Sequence, residues 1–106
     1  KEKIFDKKYL MWIFLYNKDP CGLVRINIEN RKEIINYLIS SKYRGKKLAS
    51  KMLVLARKKI CDLFPKTAIY AYTLPENVIS AKSLLSAGFI LERSEIKKEI
   101  YVYKCI

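Results

Sequence analysis

Apolar and polar positions along the chain change period once, and the change separates two kinds of element. From Tyr9 to Tyr16 the residues are almost continuously apolar around Trp12, too short a run for a helix and rich in strand formers, which predicts a strand. Asn17-Lys-Asp-Pro20 is a turn cluster. Beyond it, Leu23, Arg25 and Asn27 alternate against Val24, Ile26 and Ile28, the period of two of a second strand over Gly22 to Glu29. Asn30-Arg31-Lys32 predicts another turn, and Glu33 to Ser40 a third strand. Three antiparallel strands in succession are the economical arrangement.

The period then becomes helical. Leu48, Met52, Leu55, Ala56, Ile60 and Leu63 form a stripe that Lys51, Arg57 and Lys58 mostly avoid, and Pro65 ends that helix just after Phe64. Ala68 to Thr73 reads as a strand. Asn77 is a good N-cap for a short helix that Gly88 stops. Phe89 to Glu95 and Glu99 to Cys105 close as a hairpin around Lys97-Lys98. The predicted order is β-β-β-α-β-α-β-β, with no repeat, linker or low-complexity segment.

A length of 106 residues with 51% hydrophobic and 12% aromatic content fits one domain, residues 1–106, with one modest core. No apolar run approaches the ~20 residues needed to cross a membrane. The basic N-terminus also lacks the apolar stretch of a signal peptide. Cys21, Cys61 and Cys105 are widely spaced, odd in number and accompanied by no histidine. That pattern predicts reduced thiols in a cytoplasmic protein rather than a disulfide framework, and no metal site. The formal charge of +12 is mostly lysine spread from Lys1 to Lys104. It favours an anionic ligand without naming one.

The densest candidate chemistry lies in Ile39-Ser-Ser-Lys-Tyr-Arg-Gly-Lys-Lys-Leu-Ala-Ser50, a strand end entering a basic loop and then a helix. The first amides of a helix point outward there, the helix dipole adds partial positive charge, and Arg44, Lys46 and Lys47 add whole charges. A phosphate-bearing ligand is the expectation; the plainer reading is a solvated basic helix start.

Arg44-Gly-Lys-Lys-Leu-Ala49 resembles the Arg/Gln-x-x-Gly-x-Gly/Ala signature of the GNAT superfamily of acetyl-CoA-dependent N-acetyltransferases. Asn77-Val-Ile-Ser-Ala-Lys-Ser-Leu-Leu-Ser-Ala-Gly-Phe89 is similar to that family's Asn-x-x-(Ser/Ala)…Gly-Phe helix. The order of elements agrees from Gly22 to about Tyr103. The resemblance implies an α/β (α+β) GNAT-type acyltransferase fold with a mixed, mostly antiparallel sheet. It implies a chain that corresponds to the later part of such a domain, without the strand and helices that usually precede it. Acetyl-CoA is the implied cofactor. Ile39, Ser40 and Ser41 would pair with its pantetheine arm, and the amides of Arg44, Gly45, Lys46, Lys47, Leu48 and Ala49 would face its pyrophosphate. Lys47 stands where the signature has its middle glycine. Asn77 is expected to cap its helix and, with Ser80, to contact the cofactor arm.

For catalysis, Glu33 lies eleven residues before Arg44, the spacing at which the histone-acetylating branch of the family places its glutamate. On a strand it shares a face with Ile35, Tyr37 and Ile39. It is the candidate base, weighed against a solvated glutamate at a strand entry. The tyrosine acid that many relatives carry seven residues after the asparagine is Leu84 here. Tyr37, Tyr70 and Tyr72 are substitutes to be weighed against half-buried sheet residues. Similarity around Leu23-Val-Arg-Ile26 and Ser80 to the branch acetylating nucleotide-linked amino sugars makes Arg25 a candidate for a substrate phosphate. The expected partner is a small-molecule amine, with a homodimer or a preceding region completing the site. The alternatives are a duplex-RNA-binding module, whose three strands and lysine-led helix look similar but end at that helix, and a GNAT-like domain without activity.

Overall fold

The structure, a computed structural model, describes residues 8–29, 32–44 and 47–105. The strands are β1 (Lys8–Tyr16), β2 (Asp19–Glu29), β3 (Lys32–Ile39), β4 (Ala68–Thr73), β5 (Ile90–Ser94) and β6 (Glu99–Lys104). Between β3 and β4 come a 3-10 turn, Ser41–Tyr43, and helix α1 (Leu48–Leu63). Helix α2 (Val78–Ser86) lies between β4 and β5. Every predicted strand and helix is present, and the 3-10 turn is an addition. The turn expected over 17–20 is confined to Asn17 and Lys18, since Asp19 and Pro20 already pair in β2. Of the turn expected over 30–32, Lys32 begins β3, while residues 30–31 lie outside the described residues. The strands form one sheet in the order β1-β2-β3-β4-β6-β5. All neighbours are antiparallel except β3 and β4, which run parallel and are joined by α1.

Alternation along the strands decides what the helices cover. Trp12, Val24 and Tyr37 stand in register across β1, β2 and β3, as do Leu10, Ile26 and Ile35. These positions join Ile69, Ala71 and Tyr101 in a core completed by Met52, Leu53, Ala56 and Ile60 of α1 and by Leu84 and Ala87 at α2. Both helices therefore contribute to one core on one face of the sheet. The intervening residues point the other way, and several are large and apolar: Met11, Ile13, Leu38, Tyr72 and Ile90 are all exposed. The chain thus presents a second, apolar sheet face with nothing packed on it among the described residues.

Two glycines have steric reasons. A Cβ on Gly22 would come within 2.6 Å of Met52 Sδ and 2.9 Å of the Leu38 carbonyl oxygen, so glycine lets α1 sit close to β2. Gly88 has φ +97°. There the Phe89 amide donates to the Leu84 carbonyl and the Gly88 amide to that of Leu85, both at 3.0 Å, which ends α2 as the sequence predicts.

One expectation fails. Cys61, in the last turn of α1, and Cys105, just after β6, form a disulfide with their Cα atoms 5.3 Å apart; Cys21 is free and buried. The two cysteines are 44 residues apart in sequence and meet only because α1 and β6 pack together. Among the described residues no helix is long and apolar enough to cross a membrane, and no cluster of side chains suited to a metal ion occurs.

Candidate active site

The parallel pair at the centre of the sheet is incomplete. Among the described residues β3 and β4 are bridged only at Glu33 with Ile69 and at Ile34 with Tyr70, while the strands run on to Ile39 and Thr73. Beyond the bridges the two strands are not paired, which leaves a gap in the ladder toward their C-terminal ends. The Ser40 amide donates to the Cys21 carbonyl at 2.8 Å, toward β2. By the alternation of an antiparallel ladder, the N–H and C=O groups of Tyr37 and Ile39 then turn toward the gap. That bank can pair with an extended, amide-bearing ligand as it would with a strand. Ile39 thus offers its main chain to the gap, whereas the Ser40 amide is spent on β2.

At the open end of the gap stands the N-terminus of α1. Its N-cap, Lys47, makes no side-chain capping bond and has φ 59°. That is the left-handed region, where glycine costs little and a lysine is strained, so the departure from the signature sits at a position whose backbone favours the signature residue. Lys47→Gly is expected to raise stability by about 0.5–1 kcal/mol, strain relief exceeding the added chain entropy, as read by urea denaturation. Ser50 Oγ donates to the Lys47 carbonyl at 3.3 Å. Arg44 is exposed and folds back so that Nε approaches the Ile39 carbonyl oxygen at 3.4 Å, bringing its charge over the end of β3. Leu48 and Ala49 begin the helix; Gly45 and Lys46 lie outside the described residues.

The segment before this loop is anchored. Tyr43 Oη donates to Asp19 at 2.6 Å and Lys42 Nζ to the same oxygen at 3.0 Å, while the Tyr16 and Tyr43 rings meet edge to face at 5.6 Å. The Tyr43 bond, and then the lysine, hold the Asp19 carboxyl below its ordinary value; the bond to Asp19 raises the Tyr43 hydroxyl. Exposed Ser41 contributes its carbonyl to the turn, accepting from the Arg44 amide at 3.3 Å.

The second bank and its helix bring together residues that the sequence names separately. Asn77 caps α2, its Oδ1 accepting from the Ser80 amide at 3.2 Å. Ser80 Oγ in turn lies 2.6 Å from Tyr37 Oη, across from β3. Burial pushes the Tyr37 hydroxyl above the ordinary tyrosine value, opposed by hydrogen bonds from Ser80 and Ser83. Thr73, the last residue of β4, is buried, and its Oγ1 has no hydrogen-bond partner among the described residues. A buried hydroxyl without a partner is costly, and an amide-rich arm lying in the gap would supply one. Composition and spacing give no signal for Thr73, which matters only once β4 is known to be a bank of the gap.

Glu33 and Arg25 are not brought to the open end. Glu33 does share the helix-covered face with Ile39, but it sits at the closed end, six residues back and therefore about 20 Å away along the strand. It is 6% exposed, and its carboxylate accepts a 2.5 Å bond from Thr67 Oγ1. A solvated glutamate is thus excluded, and so is direct contact with a group held at Ile39. Arg25 is exposed on the apolar second face of the sheet, in β2, one strand removed from the gap. Leu84 is fully buried in the core.

A parallel strand pair whose ladder stops short of a helix N-terminus is a fold-level feature, and the sequence carries it to a family. The model of the Acetyltransferase (GNAT) family matches residues 1–89. The chain belongs to this family. Solved GNAT-type acetyltransferases share its fold at low identity. The microcin C7 self-immunity acetyltransferase MccE, in complex with acetyl-CoA and AMP, superposes with a TM-score of 0.78 at 20% identity over 97% of this chain and 64% of its own. The spermidine N-acetyltransferase of Vibrio cholerae, in complex with CoA and spermine, gives 0.80 at 17% identity over 97% and 69%. The aminoglycoside acetyltransferase AAC(6')-Ib, in complex with coenzyme A, gives 0.75 at 16% over 91% and 66%. This chain spans less than two thirds of the length of MccE. No curated protein matches the sequence significantly. The duplex-RNA module ends at its helix, whereas this sheet continues through β4, β6 and β5, so that architecture is not the one observed.

Proposed function

We propose that this GNAT domain binds acetyl-CoA in the gap between β3 and β4 and transfers its acetyl group to a primary amine. The observation that carries the reading is the unpaired edge of β3 at Tyr37 and Ile39, ending beside the uncapped N-terminus of α1. The edge suits the amides of a pantetheine arm. The helix amides, Arg44 and Lys47 suit a pyrophosphate, with Gly45 and Lys46 as expected contributors, and Asn77, Ser80 and Thr73 border the arm from the other side. Pairing along a fixed strand edge delivers the thioester at a set depth, which makes attack by an amine effectively intramolecular. A main-chain N–H of this edge can also bond to the carbonyl oxygen as negative charge grows on it. Glu33 is the carboxylate on this face of β3. At about 13 Å along the strand from Tyr37 it takes up the amine's proton through water rather than directly.

The net charge of +12 disfavours a polycationic acceptor and favours an anionic one. A nucleotide-linked amino sugar is therefore the first acceptor to test, with Arg25 available to its phosphates, and spermidine and kanamycin are the contrasting arms. Turnover of the polyamine or the aminoglycoside, and none of the amino sugar, would sink that choice. The open sheet face beside Arg25 is covered, in this reading, by a preceding region or a second copy of the chain, which completes the acceptor pocket.

Calorimetric titration tests the cofactor site. Acetyl-CoA is expected to bind with micromolar Kd, about −8 kcal/mol, and Arg44→Ala to weaken it at least tenfold, about 1.4 kcal/mol. A folded chain that takes up no acetyl-CoA would contradict the reading and leave a GNAT domain without activity.

A further inference from the structure

We propose that Tyr37 is the catalytic acid that returns a proton to the departing thiolate, with Ser80 as its positioning residue. This assignment rests on the acetyltransferase reading and deepens it. Tyr37 lies on the stretch of β3 beyond the last bridge to β4, Ile34 with Tyr70. Were the parallel register of Glu33 with Ile69 continued, Tyr37 would stand opposite Thr73, so the two residues occupy facing banks of the gap on its helix-covered side. The Tyr37 main chain turns toward the gap, and its hydroxyl reaches Ser80 Oγ at 2.6 Å in the first turn of α2.

The other tyrosines on the helix-bearing side or near the loop have partners away from the gap. Tyr43 bonds to Asp19, Tyr101 to Glu99 and Tyr103 to Arg57. Tyr70 and Tyr72 alternate with Ile69, Ala71 and Thr73 on the opposite face, where Lys32 and Lys98 lie over their rings. Ser83 Oγ donates to the Ile79 carbonyl. Helix α2 offers no acid of its own on this face, because Leu84, one turn beyond Ser80, is apolar and fully buried.

The step balances without a co-reactant. The amine nitrogen bonds to the acetyl carbon, and the carbon–sulfur bond breaks with its electron pair going to sulfur. Tyr37 Oη–H gives its proton to that sulfur. The Ser80 hydroxyl donates to the tyrosinate as it forms, and solvent restores its proton; the proton lost by the amine passes through water to Glu33. The products are an N-acetylated amine and a thiol. A tyrosine is protonated at neutral pH and burial raises Tyr37 further, so the acid is in its working form there, and activity falls as pH rises into the alkaline range. The groups acting on it from α2 are the neutral Ser80 and Ser83, its neighbours on the same face of β3 are Ile35 and Ile39, and the one carboxylate on that face, Glu33, is four residues back.

The test compares wild type, Tyr37→Phe, Ser80→Ala and a chain with 3,5-difluorotyrosine at position 37. Thiol release from acetyl-CoA is followed with a nucleotide-linked amino sugar, spermidine and kanamycin, and acetyl-CoA affinity is measured by calorimetry. For Tyr37→Phe we expect kcat to fall by about 100-fold, with Kd for acetyl-CoA changed less than twofold and the alkaline limb of the pH profile abolished. The more acidic fluorotyrosine should move that limb to lower pH, and Ser80→Ala should reduce kcat by about tenfold with the limb retained. A purely structural tyrosine would move none of these limbs. Undiminished turnover by Tyr37→Phe overturns the assignment alone. Absence of turnover by the wild type with all three amines overturns the acetyltransferase reading and this assignment with it.

Discussion

Breaking the Cys61–Cys105 bond, by Cys105→Ser or by reduction, is expected to lower the unfolding free energy by about 4 kcal/mol. The bond closes a loop spanning 44 residues, and the loop-closure entropy restored to the unfolded chain is of that size. The bond also fastens the last turn of α1 to the chain leaving β6. One turn earlier, Arg57 Nε donates to the Ala87 carbonyl at 2.7 Å and its Nη1 to Tyr103 Oη at 3.0 Å, with the guanidinium 4.3 Å from the Tyr103 ring centre. The bridge and the arginine hold α1 against both α2 and β6, so the loss is not confined to the unfolded state. Urea denaturation with and without reductant checks it; at 4 °C or more per kcal/mol, the Tm should fall by about 16 °C or more. Thiol titration of the denatured, unreduced chain should detect Cys21 and neither of the others. An unchanged urea midpoint in Cys105→Ser would refute the expectation.

The second large effect is at Phe89. Phe89→Ala is expected to cost about 3–5 kcal/mol, the transfer free energy of the ring plus the cavity it leaves. Phe89 is 2% exposed, its ring lies 5.8 Å from that of Tyr103, and its amide closes the C-terminal turn of α2 on Leu84. Because α2 carries Asn77 and Ser80 at its other end, loosening its anchor should reach the proposed site. We expect Phe89→Ala to lower kcat alongside stability, and Phe89→Leu, which refills most of the volume, to recover most of both. A Phe89→Ala variant of wild-type stability would mean that the ring is not the anchor of α2.

Much of this was legible in the residues. The alternation of Val24, Ile26 and Ile28 and the helical stripe from Leu48 to Leu63 fix their elements because burial on one face imposes its period on the sequence. Asn77, Gly88 and Phe89 announce the ends of α2 because capping is local chemistry. The basic loop was legible for a similar reason, since a helix start with positive side chains can be read within ten residues. Lys47 was visible as a departure, although the left-handed backbone that gives it meaning was not.

What the sequence could not decide depends on distances between residues far apart in the chain. Glu33 shares a face with Ile39 by counting alone, but only the register of β3 against β4 shows that it sits at the closed end, bonded to Thr67. Tyr37, Ser80 and Thr73 come together because the parallel strands pair at only two bridges and Ser80 of α2 reaches Tyr37. Cys61 and Cys105 pair because α1 packs on β6. The chain by itself determined its elements, their order, its family signature and the basic loop at a helix start, all set by local periodicity and capping. The tertiary structure alone decided which hydroxyls, carboxylates and thiols meet, because such meetings follow from sheet register and helix packing, which no spacing along one strand records.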